Sequence, residues 1–140
     1  EYCVDIFRPK RNLNLEQKEK IKKLPQVNLL EFSPHLVGIL TNKVSKDVEL
    51  IFIFRKTDTV GFTLIGEIRT YCQLAKPKLA IIVSTKNLSP YVNEWVNIKK
   101  EEDVMKYSET DVLIYFQWDE KQKKLDPYTI TPMNKRSFFQ

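Results

Sequence analysis

A long amphipathic pattern followed by an uninterrupted apolar run constrains the fold of this chain most, and both lie within residues 61–91. Thr63 is placed to cap a helix, and Pro77 is placed to end it. The apolar positions of that helix lie three or four residues apart and share one face: Leu64, Ile65, Ile68, Tyr71, Cys72 and Ala75. Residues 79–83 are apolar at every position, which is typical of a strand covered on both faces in a parallel or mixed sheet.

Other patterns predict strands and helices around this unit. The predicted strands are residues 2–7, 27–32, 36–42, 48–54 and 112–118, and the predicted helices are residues 15–24 and 90–98. The residues that helix 90–98 is expected to bury are Val92, Trp95 and Val96. A short polar turn favours antiparallel pairing of 36–42 with 48–54, and the long helix allows 79–83 to pair in parallel with 48–54.

Composition bounds the class of protein. With 140 residues, 42% of them hydrophobic and 29% charged, the chain suits one ordinary globular domain. We expect a single α/β domain over residues 1–140, with residues 125–140 as an extended tail. Its architecture is expected to be a three-layer αβα arrangement with a mixed central sheet of about four to five strands. Because no apolar run approaches the roughly 20 residues of a membrane span, no membrane contact is expected.

Few residues could carry catalytic or metal chemistry. His35 is the single histidine, and together with only Cys3 and Cys72 it gives no zinc-ligand spacing. We expect His35 to be a partly buried turn residue and Cys72 to be a buried thiol, which favours a reducing, intracellular compartment. The chain has three glycines and no glycine-rich phosphate loop after a strand. No catalytic residue, metal or cofactor is therefore expected.

A polar loop after the apolar run is the best candidate for function. It follows the carboxyl end of a strand, where ligands bind in open α/β sheets, and it leads into a helix start whose N–H groups favour phosphate. Lys86 adds positive charge, and the net charge of +5 permits a polyanionic partner. The candidate residues are Thr85, Lys86, Asn87, Ser89 and Pro90. Such contacts would recognise a phosphate backbone and not bases. The alternative interpretation is a solvent-exposed loop without a binding function.

A metal-dependent nuclease is a second possibility. Enzymes of that class resemble a pattern of one acidic residue on a strand and Asp/Glu-x-Lys on its neighbour, which hold a divalent cation. The candidates here are Asp47 or Glu49 together with Glu67 and Arg69. Glu67 and Arg69 fall in a helical pattern, where residues two apart point in different directions. Arg69 also stays protonated and cannot exchange a proton as a lysine can.

Several segments resemble the amino-terminal jaw domain of the fifth-largest subunit shared by eukaryotic nuclear RNA polymerases. The segment Ile68-Arg69-Thr70-Tyr71-Cys72-Gln73 is close to the Ile-Lys-Thr-Tyr-Cys-Gln of that family. Residues 48–54 and 79–83 are similar to two of its hydrophobic strands, and Leu88-Ser89-Pro90 resembles its Thr-Pro turn. Residues 112–114 and 125–127 are similar to its late strand and the Leu-x-Pro that follows.

The resemblance implies a restriction-endonuclease-like core without catalysis of its own. It implies contact with duplex DNA near a polymerase cleft, within a larger nuclear protein complex. The contacting loop would be the one that carries Thr85, Lys86, Asn87, Ser89 and Pro90. A protein-interaction domain, acting through the exposed side of residues 90–98 with Tyr91 and Trp95, is a third possibility.

Overall fold

The structure is a computed structural model that describes residues 2–8, 14–22 and 34–139. The strand predicted at residues 27–32 and the last two residues of the first predicted helix lie outside these ranges. Within the described residues, no helix is long and apolar enough to cross a membrane.

Six strands of the described residues form one mixed sheet in chain order. The strands are β1 (Tyr2–Phe7), β2 (Leu36–Asn42), β3 (Val48–Lys56), β4 (Leu79–Ser84), β5 (Leu113–Asp119) and β6 (Lys124–Thr131). The helices are α1 (Leu15–Lys22), α2 (Phe62–Ala75) and α3 (Pro90–Asn93), with a π-helical turn at Glu94–Ile98 and 3-10 turns at Glu102–Val104 and Met133–Phe139. Strands β3, β4 and β5 run parallel, whereas the β1–β2, β2–β3 and β5–β6 pairs are antiparallel.

The α/β class and the mixed sheet are as predicted, but the sheet has more strands than expected. The additional strand is β6, whose residues were expected to be part of an extended tail. The local sequence of β6 contains a proline and few alternating apolar residues, so the hydrophobic periodicity does not predict a strand there. The strand forms through its hydrogen-bonded pairing with β5.

Alternating side chains divide the sheet into two faces. The first, which we call the helical face, packs against α2 and α3 in one buried cluster, and its central members are Leu50, Phe52, Phe54, Ala80, Ile82, Leu113 and Tyr115. The second face carries a smaller cluster around Ile114, Phe116 and Ile130. On β4 the helical-face side chains are buried, while Leu79, Ile81 and Val83 on the second face are half-buried. The expected burial of this strand on both faces is therefore complete on one face only.

Helix α2 confirms the predicted apolar face but not the predicted cap. Ile65, Ile68, Cys72 and Ala75 are buried against the sheet, and each of the two isoleucines contributes about 1.5–3 kcal/mol. The N-cap is Gly61 and no side-chain capping bond forms. The Thr63 cap was wrong because the helix begins at Phe62, which puts Thr63 inside the first turn.

Trp95 is also less buried than expected. It is 43% exposed, while Val92 and Val96 are buried. These two valines lie four residues apart and define the buried side of the helix. Trp95 lies beside that side, with the Lys99 ammonium 4.2 Å from its ring centroid.

Candidate nucleic-acid interface

The backbone of the candidate loop is held by two buried side chains. Ser84, the last residue of β4, donates a hydrogen bond from its hydroxyl to the Asp58 carbonyl at 2.8 Å and accepts one from the Lys86 N–H at 3.0 Å. The Tyr115 hydroxyl donates to the Lys86 carbonyl at 2.7 Å. Burial raises the pKa of Tyr115 to about 12, although a backbone hydrogen bond at Leu88 lowers it, so this hydroxyl remains a donor at neutral pH. Lys86 is thus fixed at its backbone while its side chain is exposed.

The other loop residues offer side chains rather than free amides. The Ser89 N–H donates to the Val60 carbonyl at 2.9 Å, and the Ser89 side chain makes no capping bond. Pro90 is exposed and has no N–H, and Asn87 is exposed. The N–H groups of Lys86 and Ser89 are therefore already occupied, and Pro90 has none to offer a phosphate. The polar groups that this loop presents to a ligand are chiefly the Lys86 ammonium and the Asn87 amide.

A groove of about 540 Å³ lies next to this loop, on the second face of the sheet. Thr85, half-buried at the end of β4, belongs to the loop and also lines the groove. The apolar part of the lining consists of Leu36, Ile53, Val83 and Leu125, and Trp118 of β5 adds an aromatic side chain. The groove therefore opens at the carboxyl ends of the three parallel strands, where ligands bind in open α/β sheets.

Basic side chains dominate the charge of the groove. Arg8, Arg55 and Lys56 line it, against the single carboxylate of Glu120 among the lining residues that the structure describes. None of the three cations forms an ion pair with another described residue. The parallel register pairs Arg55 with Val83 and Lys56 with Ser84, which brings these cations to the same edge as the Lys86 loop.

Acidic residues next to the groove stabilise a turn. The carboxylate of Asp119 accepts hydrogen bonds from the N–H groups of Lys121 and Gln122 at 2.9 and 3.0 Å. The Asp126 carboxylate accepts from the Tyr128 N–H at 3.0 Å. The Asp119 bonds hold the β5–β6 connection, and the Asp126 bond lies within β6.

Sequence reasoning missed Arg8, Arg55, Lys56 and Trp118 as site residues. The signal for Arg55 and Lys56 was present, because a parallel pairing of β3 with β4 puts the residues after both strands at one edge. Arg8 follows β1 and Trp118 lies in β5, and the positions of these two strands in the sheet depend on long-range pairing. His35 is exposed rather than partly buried; it lines the groove, and its N–H donates to the Ile53 carbonyl at 2.8 Å.

The candidate nuclease residues are not brought together. Val48 and Leu50 pack on the helical face, so Glu49 between them points to the second face, while Glu67 is exposed on α2. Asp47 is exposed just before β3. In the part of the chain that the structure describes, no group of three or more His, Cys, Asp or Glu residues could hold a metal ion.

Arg69 has a structural contact. Its Nε donates a hydrogen bond of 2.7 Å to the Lys106 carbonyl, which ties α2 to the segment before β5. Close by, Cys72 is a buried free thiol, and burial raises its pKa to about 12. The Cys72 thiol is therefore not poised as a nucleophile at neutral pH.

An exposed apolar stripe runs along the helical segment after the loop. Tyr91 is 71% exposed and Ile98 is 69% exposed, with Trp95 between them. Tyr91 and Trp95 lie four positions apart and share one side, and Ile98 follows at the end of the π-helical turn.

Comparisons with protein-family models, curated proteins and solved structures gave no match to this chain.

Proposed function

We propose that this protein is a non-catalytic nucleic-acid-contacting domain that grips duplex DNA through its phosphate backbone. The observation that carries the proposal is the clustering of Arg8, Arg55, Lys56 and Lys86 at the carboxyl edge of the parallel strands. Lysine and arginine side chains that neutralise phosphates release condensed counterions, and this release favours binding without reading sequence. Thr85, Asn87 and Ser89 would add neutral side-chain contacts to the backbone, with Pro90 shaping the loop.

Several segments resemble the amino-terminal jaw domain of an RNA polymerase subunit, and this resemblance extends the proposal to the setting of a polymerase. In that setting the domain works inside a larger nuclear protein complex and has a three-layer, restriction-endonuclease-like core. The order of β3, α2, β4 and α3 supports this, because the segments that carry the resemblance coincide with these elements. Leu79 and Ile81, which are half-buried on the second face of β4 and do not line the groove, are what a second helical layer would cover.

A charge-reversal experiment tests the DNA contact. Lys86→Glu should weaken binding to a random-sequence duplex and reduce its dependence on salt, because one phosphate contact is lost and a repulsion is added. Lys78→Glu is the matched control, since Lys78 is an exposed lysine just before the amino end of β4, at the opposite edge of the sheet. Both variants have the same net charge. Equal loss of affinity in the two variants, or binding that ignores salt, would overturn the proposal.

The aromatic stripe favours a second role, docking onto the protein complex. Changing both Tyr91 and Trp95 to Ser should release the domain from the complex with which it co-purifies, because exposed aromatic side chains often anchor protein interfaces. The affinity for duplex DNA should stay unchanged, since the stripe contributes no cation to the groove. If the double variant still co-purifies with the complex, the aromatic stripe does not dock the domain.

A further inference from the structure

We propose that the groove holds one unpaired nucleotide of the bound nucleic acid, with its base against Trp118 and its phosphate at Arg55 and Arg8. This inference rests on the proposed function and adds a second kind of contact to it. The loop at Lys86 contacts the duplex backbone, and the groove takes a nucleotide that has left the duplex.

The chemistry of the lining fits a group with one flat apolar part and one anionic part. A volume of about 540 Å³ is within the range of sites for small organic ligands. Ile53 and Val83 provide an apolar surface and Trp118 an aromatic ring, on which bases stack regardless of sequence. A lone phosphate would leave the apolar surface unused, while a purely apolar ligand would leave the arginines without an anion.

The charge of the lining also matches a nucleotide. Among the lining residues that the structure describes, Arg8, Arg55 and Lys56 exceed the single Glu120 carboxylate by two positive charges. A nucleotide with its flanking phosphate brings a negative charge of this size. Arginine suits this position, because its planar guanidinium binds phosphate oxygens in pairs.

The position of the groove favours an unpaired nucleotide over a paired one. A base inside a duplex is stacked on both sides, so it cannot enter a concave site unless it leaves the stack. Thr85 lines the groove and directly precedes Lys86, so a backbone that lies along the loop passes the mouth of the groove. A duplex with a single-stranded end could therefore use both contacts at once.

The two tryptophans of the chain allow a direct test. Trp95→Phe leaves Trp118 as the only tryptophan, and Trp95 is not a groove residue. The variant is titrated with a blunt duplex, with the same duplex carrying a short single-stranded overhang, and with a deoxynucleoside monophosphate alone. We expect the overhang to quench Trp118 emission and to bind more tightly than the blunt duplex. Emission that stays constant with the overhang duplex would overturn the inference.

Substitution of Trp118 measures the stacking. Trp118→Leu should weaken binding of the overhang duplex about 5- to 150-fold and leave the blunt duplex unchanged, while Trp118→Phe retains most of the affinity. Equal loss for both duplexes would contradict a nucleotide site. If Trp118→Leu fails to fold, the emission experiment on Trp95→Phe decides by itself.

The outcomes separate this inference from the function on which it rests. Salt-dependent binding of the blunt duplex with no response of Trp118 to the overhang removes the nucleotide site and leaves the duplex contact standing. Quenching by the monophosphate without binding of either duplex identifies a free nucleotide as the ligand and removes the DNA function. If neither the duplexes nor the monophosphate bind, both the nucleotide site and the duplex contact are ruled out.

Discussion

The hydroxyl of Tyr115 donates a hydrogen bond of 2.7 Å to the carbonyl oxygen of Lys86, so a central strand holds the loop that we propose contacts DNA. Tyr115→Phe removes this bond and leaves the ring in place. The free energy of unfolding should fall by about 0.5–1.5 kcal/mol, and duplex affinity should fall because Lys86 is no longer held. Urea unfolding and a DNA titration measure the two effects. A variant with full stability and full affinity would show that the bond does not position the loop.

Ser84 should matter more for stability than Ser89. Ser84→Ala removes a fully buried hydroxyl and leaves both the Lys86 N–H and the Asp58 carbonyl without their partner. We expect a loss of about 1–3 kcal/mol in the free energy of unfolding. The control Ser89→Ala should stay within about 0.5 kcal/mol, because the Ser89 side chain makes no capping bond. Similar losses in both variants would contradict this account of the loop.

Arg69 should contribute to stability and not to binding. Arg69→Ala loses the charge-assisted bond to the Lys106 carbonyl, at an expected cost of about 1–2 kcal/mol. Binding of duplex DNA in conditions where the variant is folded should equal that of the wild type. Weaker binding by a fully folded Arg69→Ala variant would show that Arg69 belongs to the interface after all.

Cys72 should make the protein sensitive to alkaline pH. Burial raises the pKa of its thiol from 9.0 to about 12, so the folded protein keeps a proton that the unfolded chain loses. This contribution to stability is complete below pH 9 and is lost as the pH rises towards 12. The free energy of unfolding should therefore fall by up to about 1.4 kcal/mol per pH unit above pH 9. Between pH 9 and 10 the slope should be smaller in Cys72→Ala, and the part that remains comes from Tyr107 and Tyr115, because burial raises their pKa values too. Unfolding titrations at several pH values measure the difference.

The central αβα unit could be predicted from the sequence because its signals are local. The spacing of Ile65, Ile68 and Cys72 specifies the buried face of α2, and the run before Ser84 specifies β4. The lysine at position 76 takes a left-handed conformation that ends α2 just before Pro77, as the proline indicated.

The groove could not be predicted in the same way, because its residues come from strands far apart in the chain. Arg8 follows β1 and Trp118 lies in β5, and only the sheet order brings them to one edge. Two hydrogen bonds that hold the loop backbone could not be predicted from the sequence either. The Lys86 carbonyl accepts from the Tyr115 hydroxyl and the Ser89 N–H donates to the Val60 carbonyl, and both partners lie far from the loop along the chain.

The salt dependence of duplex binding tests the central claim most directly. It is measured for the wild type and for a variant with Lys56 and Lys86 both changed to Ala, on one blunt duplex across a series of salt concentrations. We predict that the logarithm of the binding constant falls linearly with the logarithm of salt for the wild type. The slope should be about 1.8 smaller in magnitude for the variant, because each lost phosphate contact removes about 0.9. Identical slopes for the two proteins would contradict a phosphate contact at this edge of the sheet.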